Sequence, residues 1–193
     1  MLTGRLVRLR AYEDTDLERV VAWINDGDVT RWLSARYPLS TAQERGWLER
    51  VMKRPASEGL SLAIETLADS RHIGTISIHP ISLESGNAEL GIMIGDKDSW
   101  SRGYGTDAIL TLLEFAFLEM NIHRVQLDAL DSNERAIACY KKCGFIEEGR
   151  KRESWYQSGR YHDMVFMGVL RQEFRAKGAS SPPNPLSLRG EGE

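Results

Sequence analysis

The sequence predicts an α/β (α+β) fold in one domain, with strands and helices alternating along the chain. Its 193 residues are the usual size of a single domain with one hydrophobic core. Apolar residues recur every second position in some segments and every third or fourth in others, which indicates both strands and helices. Hydrophobic residues make up 41% of the chain, charged residues 27%, and the net charge is −3. This balance is typical of a globular protein and does not indicate a nucleic-acid partner.

The first third of the chain is predicted to contain one strand followed by helices. Arg5–Arg10 alternates apolar and basic residues, which predicts a strand at a sheet edge. Thr15 and Glu18 have the spacing of a capping box, and apolar residues recur at helical intervals behind them. A second capping box, Ser40 with Gln43, predicts the start of another helix.

The middle of the chain changes to the period of strands. Three strands are predicted, over Leu60–Glu65, Ile73–His79 and Ala88–Ile94, and a polar turn at 69–71 joins the first two as a hairpin. After a glycine-rich segment, apolar residues between positions 109 and 120 recur at helical spacing. They predict the clearest helix of the chain.

The last third is predicted to add one strand, one helix and two closing strands. Arg124–Leu130 alternates as a strand, and Glu134–Lys142 reads as a helix that Gly144 ends. Ile146–Ser154 and Tyr161–Leu170 are the closing strands. The predicted order is β-α-α-β-β-β-α-β-α-β-β.

The domain is predicted to span residues 1–176. Residues 177–193 are rich in Pro, Gly and Ser and have no apolar period, which predicts a disordered tail. No apolar run approaches the roughly 20 residues that span a bilayer, and the start lacks the apolar region of a signal peptide. A cytoplasmic protein with no membrane partner is therefore expected.

The cysteines and histidines indicate neither a disulfide framework nor a metal site. Cys139 and Cys143 lie four residues apart in a predicted helix, and we interpret both as small, partly buried residues. The four histidines are scattered singly without metal-ligand spacing. No metal is expected.

The strongest chemical signal is the segment 100–108, WSRGYGTDA, which lies between a predicted strand and the long helix. Its glycines allow the backbone to turn tightly, so that successive N–H groups point into one concavity. The helix dipole adds about 0.3–1 kcal/mol per nearby anionic charge, which suits a pyrophosphate. A plain turn is the alternative. A P-loop is excluded because no GK[ST] follows, and a dinucleotide fingerprint because Ala108 holds the third glycine position.

Two segments resemble motifs of the GNAT superfamily of N-acetyltransferases. The first is the glycine-rich segment, which resembles the pyrophosphate-binding motif [QR]xxGx[GA], with Gly103 and Gly105 at the glycine positions. Trp100 stands where the motif has Gln or Arg, so only the backbone role carries over. The second, residues 131–145 (DSNERAIACYKKCGF), resembles the element N-x-x-A-x-x-x-Y-x-x-x-G-F. Two motifs in the correct order are more specific than either alone.

The resemblance implies the GNAT fold, a mixed, mostly antiparallel twisted sheet of about seven strands flanked by helices, with a coenzyme cleft between two splayed parallel strands. It implies transfer of acetyl from the cosubstrate acetyl-CoA to a primary amine, on a protein N-terminus or a small molecule, by direct attack in a ternary complex. The chain looks most like the ribosomal-protein-alanine N-acetyltransferase (RimJ/RimL-like) type. A non-catalytic acetyl-CoA-binding sensor or interaction module is the alternative. A monomer or a homodimer is expected.

The resemblance also assigns roles to individual residues. Tyr140 is expected to protonate the leaving thiolate and Asn133 to contact the pantetheine arm, although a core aromatic and a helix N-cap are the alternatives. The residues expected to bind the cofactor through the strand and the loop are Ile92, Met93, Ile94, Trp100, Ser101, Arg102, Gly103, Tyr104, Gly105 and Thr106.

Glu89 is the candidate general base. A lysine-like amine with a pKa near about 10.4 is almost fully protonated at neutral pH, so it must lose a proton before it attacks. A strand glutamate that only faces outward, or forms an ion pair, is an equal alternative. Acceptor-side residues are expected in the helical first third, with core packing as the more common alternative for its aromatic residues. These candidates are Trp23, Arg31, Trp32, Tyr37 and Trp47.

Overall fold

The computed structural model describes residues 1–33 and 37–178, with side chains to residue 174. The strands of this part of the chain are β1 (Leu2–Thr3), β2 (Val7–Arg10), β3 (Leu60–Thr66), β4 (His72–Ser82), β5 (Asn87–Ile94), β6 (Arg124–Leu130), β7 (Ile146–Gln157) and β8 (Arg160–Leu170). They form one sheet in the order β1-β2-β3-β4-β5-β6-β8-β7. Every neighbouring pair is antiparallel except β5 with β6, which is parallel. The expected mixed, mostly antiparallel sheet is confirmed.

Helices cover both faces of this sheet. They are α1 (Leu17–Ile24), α2 (Gly27–Thr30), α3 (Thr41–Lys53), α4 (Tyr104–Leu118), α5 (Glu134–Cys143) and α6 (Arg171–Gly178), with 3-10 turns at Asp14–Asp16 and Lys97–Ser99. The apolar stripe of α4, which includes Ile109, Leu113 and Phe117, is fully buried against the sheet. On the opposite face a smaller cluster joins α1 and α3 to Ala63. Because side chains alternate along a strand, Ala63 and its neighbour Ile64 serve these two separate cores.

The start of the chain departs from its predicted form. The predicted strand is found as β2, but the short β1 pairs outside it, so β2 is not the edge. The capping box expected at Thr15 and Glu18 is wrong, because the reciprocal pair is Glu13 with Asp16 and a 3-10 turn precedes α1. The box at Ser40 is confirmed, with Gln43 Oε1 accepting from the Ser40 N–H at 2.9 Å.

Strands β3 to β8 and helices α4 and α5 lie where the pattern predicts them, although β4 and β7 are longer than predicted. Helix α6 was not predicted, and its course to Gly178 makes the first two residues of the predicted tail helical. It is held partly by Phe174, whose ring lies 5.4 Å from that of Phe117. Residues 179–193 of the predicted tail lie outside the described part of the chain.

The pairing of β4 with β5 contains one register shift, which does not lie at Gly91 of β5. Gly91 pairs regularly with Ser77, and the register shifts instead in β4, between Ile78 and Ile81. Pro80 lies inside this shift and has no N–H to donate to the ladder, which gives a physical reason for its location.

Candidate active site

The candidate site is a cleft that opens where β5 and β6 separate. These parallel strands pair at three positions only, the last of which joins Glu89 to Gln126. Both strands then continue, β5 to Ile94 and β6 to Leu130, without pairing to each other. The described residues enclose there a cavity of about 360 Å³. Backbone groups on the facing edges of the two strands are therefore left for water or a ligand.

The glycine-rich segment forms the floor of the cleft at its open end. Gly103 is the N-cap of α4 and has φ of +87°, a left-handed conformation that favours glycine. The N–H groups of Tyr104, Gly105 and Thr106 lie in the first turn of α4, where no helical acceptor reaches them. Because the helix dipole is positive here, the concavity suits an anion.

Trp100 ties this loop to the end of β5. Its indole Nε1 donates a hydrogen bond of 2.7 Å to the carbonyl oxygen of Ile94. The other side of the loop is held by Asp107, whose carboxylate accepts N–H groups from the turn between β1 and β2. The start of α4 is thereby fixed relative to the end of β5 and to the turn between β1 and β2.

Helix α5 forms the opposite wall. Asn133 caps it, since its Oδ1 accepts the Ala136 N–H at 3.2 Å. This occupies the oxygen and leaves the Nδ2 group available as a donor, so the predicted cap and a ligand contact are compatible. Tyr140 lines the cleft from the same helix, half-buried beside Phe145. Burial raises the pKa of Tyr140 well above its usual value, with Cys139 and Asp128 adding to the shift.

The two cysteines of α5 face the start of α4. Cys139 Sγ lies 3.2 Å from Thr106 Oγ1, and Cys143 Sγ lies 3.8 Å from the Thr106 carbonyl oxygen. The hydrogen bond from Cys143 lowers the pKa of Cys139 to about 6; burial opposes the shift, and Thr106 and Lys142 add to it. Cys139 lines the cleft. Its partial burial was expected; its acidity was not, although the four-residue spacing of the cysteines was a signal for it.

Glu89 belongs to the last residue pair that joins β5 to β6, where the cleft begins. It is not among the residues that line the cavity. Its neighbours Ala88 and Leu90 belong to the α4 core, so its side chain lies on the opposite face, together with Gln126. Asp128 follows two residues later in β6 and shares this face. Burial and the Asp128 charge raise the pKa of Glu89, against a hydrogen bond from Gln126. Burial also raises the pKa of Asp128, a residue that sequence reasoning did not single out.

The other predicted cofactor-binding residues divide as follows. All of them line the cleft except Arg102, which is exposed and does not line the cavity. Those that line it are Ile92, Met93, Ile94, Trp100, Ser101, Gly103, Tyr104, Gly105, Thr106 and Asn133. The structure therefore brings the two sequence motifs together around one cavity.

The aromatic residues of the first third have different roles. Trp32 lines the cleft. Trp23 instead stacks edge-on against His72, with 4.8 Å between ring centroids, and Trp47 packs in the same way against Tyr12 at 5.7 Å. Tyr37 is 81% exposed. Arg31, the remaining candidate, lines a groove beside the cleft together with Trp32.

Within residues 1–33 and 37–178, no group of three His, Cys, Asp or Glu side chains is arranged to hold a metal ion. None of the helices described is long and apolar enough to cross a membrane.

Known proteins share both the sequence pattern and this architecture. YdaF of Bacillus subtilis (strain 168), named ribosomal N-acetyltransferase, is 29% identical over 89% of this chain and 94% of that protein. The spermidine N(1)-acetyltransferase of Escherichia coli K12 is 24% identical over 92% of each chain. The spermidine N-acetyltransferase of Vibrio cholerae, solved with CoA and spermine, has a TM-score of 0.79 at 24% identity and covers 88% of this chain and 98% of its own.

The family assignment rests on a sequence profile that covers most of the chain. The profile described as "Acetyltransferase (GNAT) domain" matches residues 6–146. This range contains the strands that separate, the glycine-rich loop and Tyr140. The chain therefore belongs to the GNAT acetyltransferases and is an acetyl-CoA-dependent N-acetyltransferase that acts on an amine.

Proposed function

We propose that acetyl transfer takes place in the cleft between β5 and β6, by direct attack on bound acetyl-CoA of a primary amine that arrives as a cation and first loses a proton. One observation carries this proposal. The parallel strands separate after Glu89 and Gln126, and the cavity so formed is bounded by the amide-rich start of α4 and by Tyr140. A binding site for an anion and a hydrogen-bond donor for the leaving sulfur therefore share one cleft.

The residues present fit the donor molecule. The N–H groups of Gly103 to Thr106 would hold the diphosphate, because they stand at the positive end of α4. The main chain of Ile92–Ile94 would pair with the amides of the pantetheine arm, since that edge of β5 has no strand partner beyond Glu89. Asn133 would add its Nδ2 group as a donor to the same arm. Acetyl-CoA would supply the activated thioester.

Tyr140 is proposed to stabilise the leaving sulfur. Its raised pKa keeps the phenol protonated at physiological pH, so a donor is always present. A thiol with a pKa of about 8.5 is a stronger acid than the phenol of Tyr140. The main contribution of Tyr140 is therefore a hydrogen bond to the departing thiolate. The proton that the nitrogen loses from the tetrahedral intermediate balances the charge of the departing thiolate, and the proton that the ammonium loses before attack goes to a base.

Glu89 is proposed to accept that proton, directly or through water. It lies on the sheet face that carries α1 and α3, and the α4 core occupies the other. A carboxylate with a raised pKa is closer in basicity to a reacting amine than an ordinary one is. Asp128 on the same face adds negative charge, which favours an acceptor that arrives as a cation.

The proposal also concerns the class of amine that accepts the acetyl group. Relatives named for spermidine and for ribosomal acetylation indicate polyamines and protein N-termini as the two classes to compare. Both carry a primary amine, and a polyamine carries additional positive charge that Glu89 and Asp128 would attract. We infer that polyamines are the better acceptors. The cytoplasmic location and the choice between monomer and homodimer remain predictions.

The experiment is a thiol-release assay with acetyl-CoA and a panel of spermidine, spermine, monoamines and peptides with free N-termini. Turnover with at least one amine class is expected, with polyamines ahead of monoamines. The variant Tyr140→Phe should bind CoA as the wild type does in calorimetry and should lose about 10²-fold or more in kcat. An unchanged kcat would remove Tyr140 from the mechanism, and a folded wild type without affinity for CoA would refute the cleft assignment.

A further inference from the structure

Arg135 stands at the mouth of the cleft and was not assigned any role by the sequence motifs. It lies in the first turn of α5 and lines both the main cavity and the adjoining groove. Its guanidinium carbon is 4.2 Å from the centre of the Trp100 ring, a stacked cation–π contact. Two residues 35 positions apart in sequence thus form one feature of the cleft wall.

The contact with Trp100 restricts the position of the charged Arg135 guanidinium. Trp100 cannot swing away easily, because its Nε1 is hydrogen-bonded to Ile94 at the end of β5. An exposed arginine normally samples many rotamers, and ordering it for a ligand costs free energy. A guanidinium already held over an anchored indole has lost part of that freedom before any ligand binds. Its N–H edge remains available for hydrogen bonds.

The position of this charge complements the amides of the α4 start. Trp100 begins the glycine-rich loop that ends in the first turn of α4, so the guanidinium stacked on it lies beside that concavity. Lys142 also lines the cavity, while Glu134 and Asp28 line the adjoining groove. The cleft side of Arg135 is therefore cationic, and the groove side is mixed in charge.

We propose that Arg135, held by Trp100, binds the diphosphate of acetyl-CoA from the side opposite to the α4 amides. This proposal rests on the proposed function of the cleft and adds a specific cation to it. Trp100 replaces the Gln or Arg with which the resembled motif begins, and Arg135 brings a guanidinium over the Trp100 ring from helix α5. A planar guanidinium can donate two parallel hydrogen bonds to phosphate oxygens.

The test is calorimetric titration of CoA and of dephospho-CoA, which lacks the 3′-phosphate and retains the diphosphate. Arg135→Ala is expected to weaken both by about fivefold to tenfold, as for a charge-assisted contact that is partly screened by solvent. Arg135→Lys should lie between, because it keeps the charge and loses the planar stack. The loss should shrink when salt is raised from roughly 0.05 M to roughly 0.5 M.

A double-mutant cycle separates this role from general support of the fold. Trp100→Leu should weaken CoA binding by itself, and adding Arg135→Ala should then cost much less than it costs alone, since the stack is already lost. Arg45→Ala on the exposed side of α3 is the matched control for loss of one positive charge and should leave the affinity unchanged.

Several outcomes would overturn the proposal. Equal affinity of wild type and Arg135→Ala for CoA would refute the contact, and a loss seen with CoA but not with dephospho-CoA would assign it to the 3′-phosphate instead. Full additivity in the cycle would refute the role of Trp100. If the wild type itself did not bind CoA, the proposed function would fail first; if it did, only this inference is at stake.

Discussion

Asp107 Oδ2 accepts a hydrogen bond of 2.8 Å from the backbone N–H of Leu6, across 101 positions of the sequence. The same carboxylate also accepts from Val7 and Arg5, at 3.0 and 3.1 Å. One side chain in the first turn of the cleft helix therefore closes the turn between β1 and β2. Both the geometry of the anion-binding loop and the stability of the sheet edge formed by β1 and β2 therefore depend on Asp107.

The variant Asp107→Ala should lower the free energy of unfolding by about 1–3 kcal/mol, because three backbone donors lose a charged acceptor. Its affinity for CoA should fall as well, since the start of α4 is no longer held. Urea unfolding and calorimetry measure the two effects. Asp107→Asn, which keeps one acceptor oxygen, should lie between, and exposed Asp98→Ala is the control. Stability equal to that of the control would contradict this account.

The fall of kcat/KM on the acid side of its pH profile, the acid limb, should follow the protonation of Glu89. A general base must be deprotonated, so activity falls as the pH drops through its pKa, which burial and Asp128 raise. The variant Asp128→Asn removes one of these causes and should shift the limb to lower pH. Glu89→Gln should lower kcat/KM and abolish that limb. If the limb stayed at the same pH in Glu89→Gln, another group would have to be the base.

Cys139 should be alkylated at unusually low pH. The pKa of its thiol is lowered to about 6, through Cys143 first and then through Thr106 and Lys142, with burial opposing. Thiolate is the reactive form, so the rate of iodoacetamide labelling should reach half its maximum near that pH, where an ordinary thiol titrates near about 8.5. Mass spectrometry locates the label, and Cys139→Ser is the control. Because Cys139 lines the cleft, CoA should slow the reaction. A midpoint near pH 8 would refute the lowered pKa.

The ionised form of Asp16 should stabilise the folded protein at pH values above its pKa. Burial opposes its ionisation, but hydrogen bonds from Arg10 and the Glu13 N–H, with the charge of His72, lower its pKa overall. A group whose folded pKa is depressed contributes fully above the unfolded value near about 3.9, and that contribution is lost as pH falls through the folded pKa.

The variant Asp16→Asn should therefore be less stable than the wild type by about 2–4 kcal/mol at neutral pH, since Arg10 is left in a mostly buried site with one partner fewer. The difference should narrow below about pH 4. Denaturant unfolding across pH measures it, with exposed Asp14→Asn from the same turn as control. A difference that did not change with pH would contradict the titration of Asp16.

The sequence pattern predicted those helices and strands that depend on residues close together in the chain. The α4 helix was predictable because its apolar stripe is the buried one. The start of α3 was predictable because Ser40 and Gln43 complete its capping box within four residues. Thr15 fails as a cap because Asp16 is drawn to Arg10 from β2, a contact no local pattern contains.

The site shows the same division between local and long-range causes. The glycine loop could be located from its residues, since its backbone conformation depends on glycine at position 103. The stack of Arg135 on Trp100 joins two elements whose proximity follows only from the strand order, and the raised pKa of Glu89 needs Asp128 in the neighbouring strand. Sequence spacing contains neither relationship.

The early end of the pairing between β5 and β6 has a thermodynamic consequence. The ladder between β5 and β6 is unfinished after Glu89 and Gln126, and in the binding mode proposed above the amides of CoA would complete it in the way that a missing strand would. CoA should therefore raise the melting temperature by mass action, since the unfolded chain has no such gap to fill. Hydrogen exchange at Ile92–Ile94 should slow in the same titration, whereas amides in the middle of β3 should not respond.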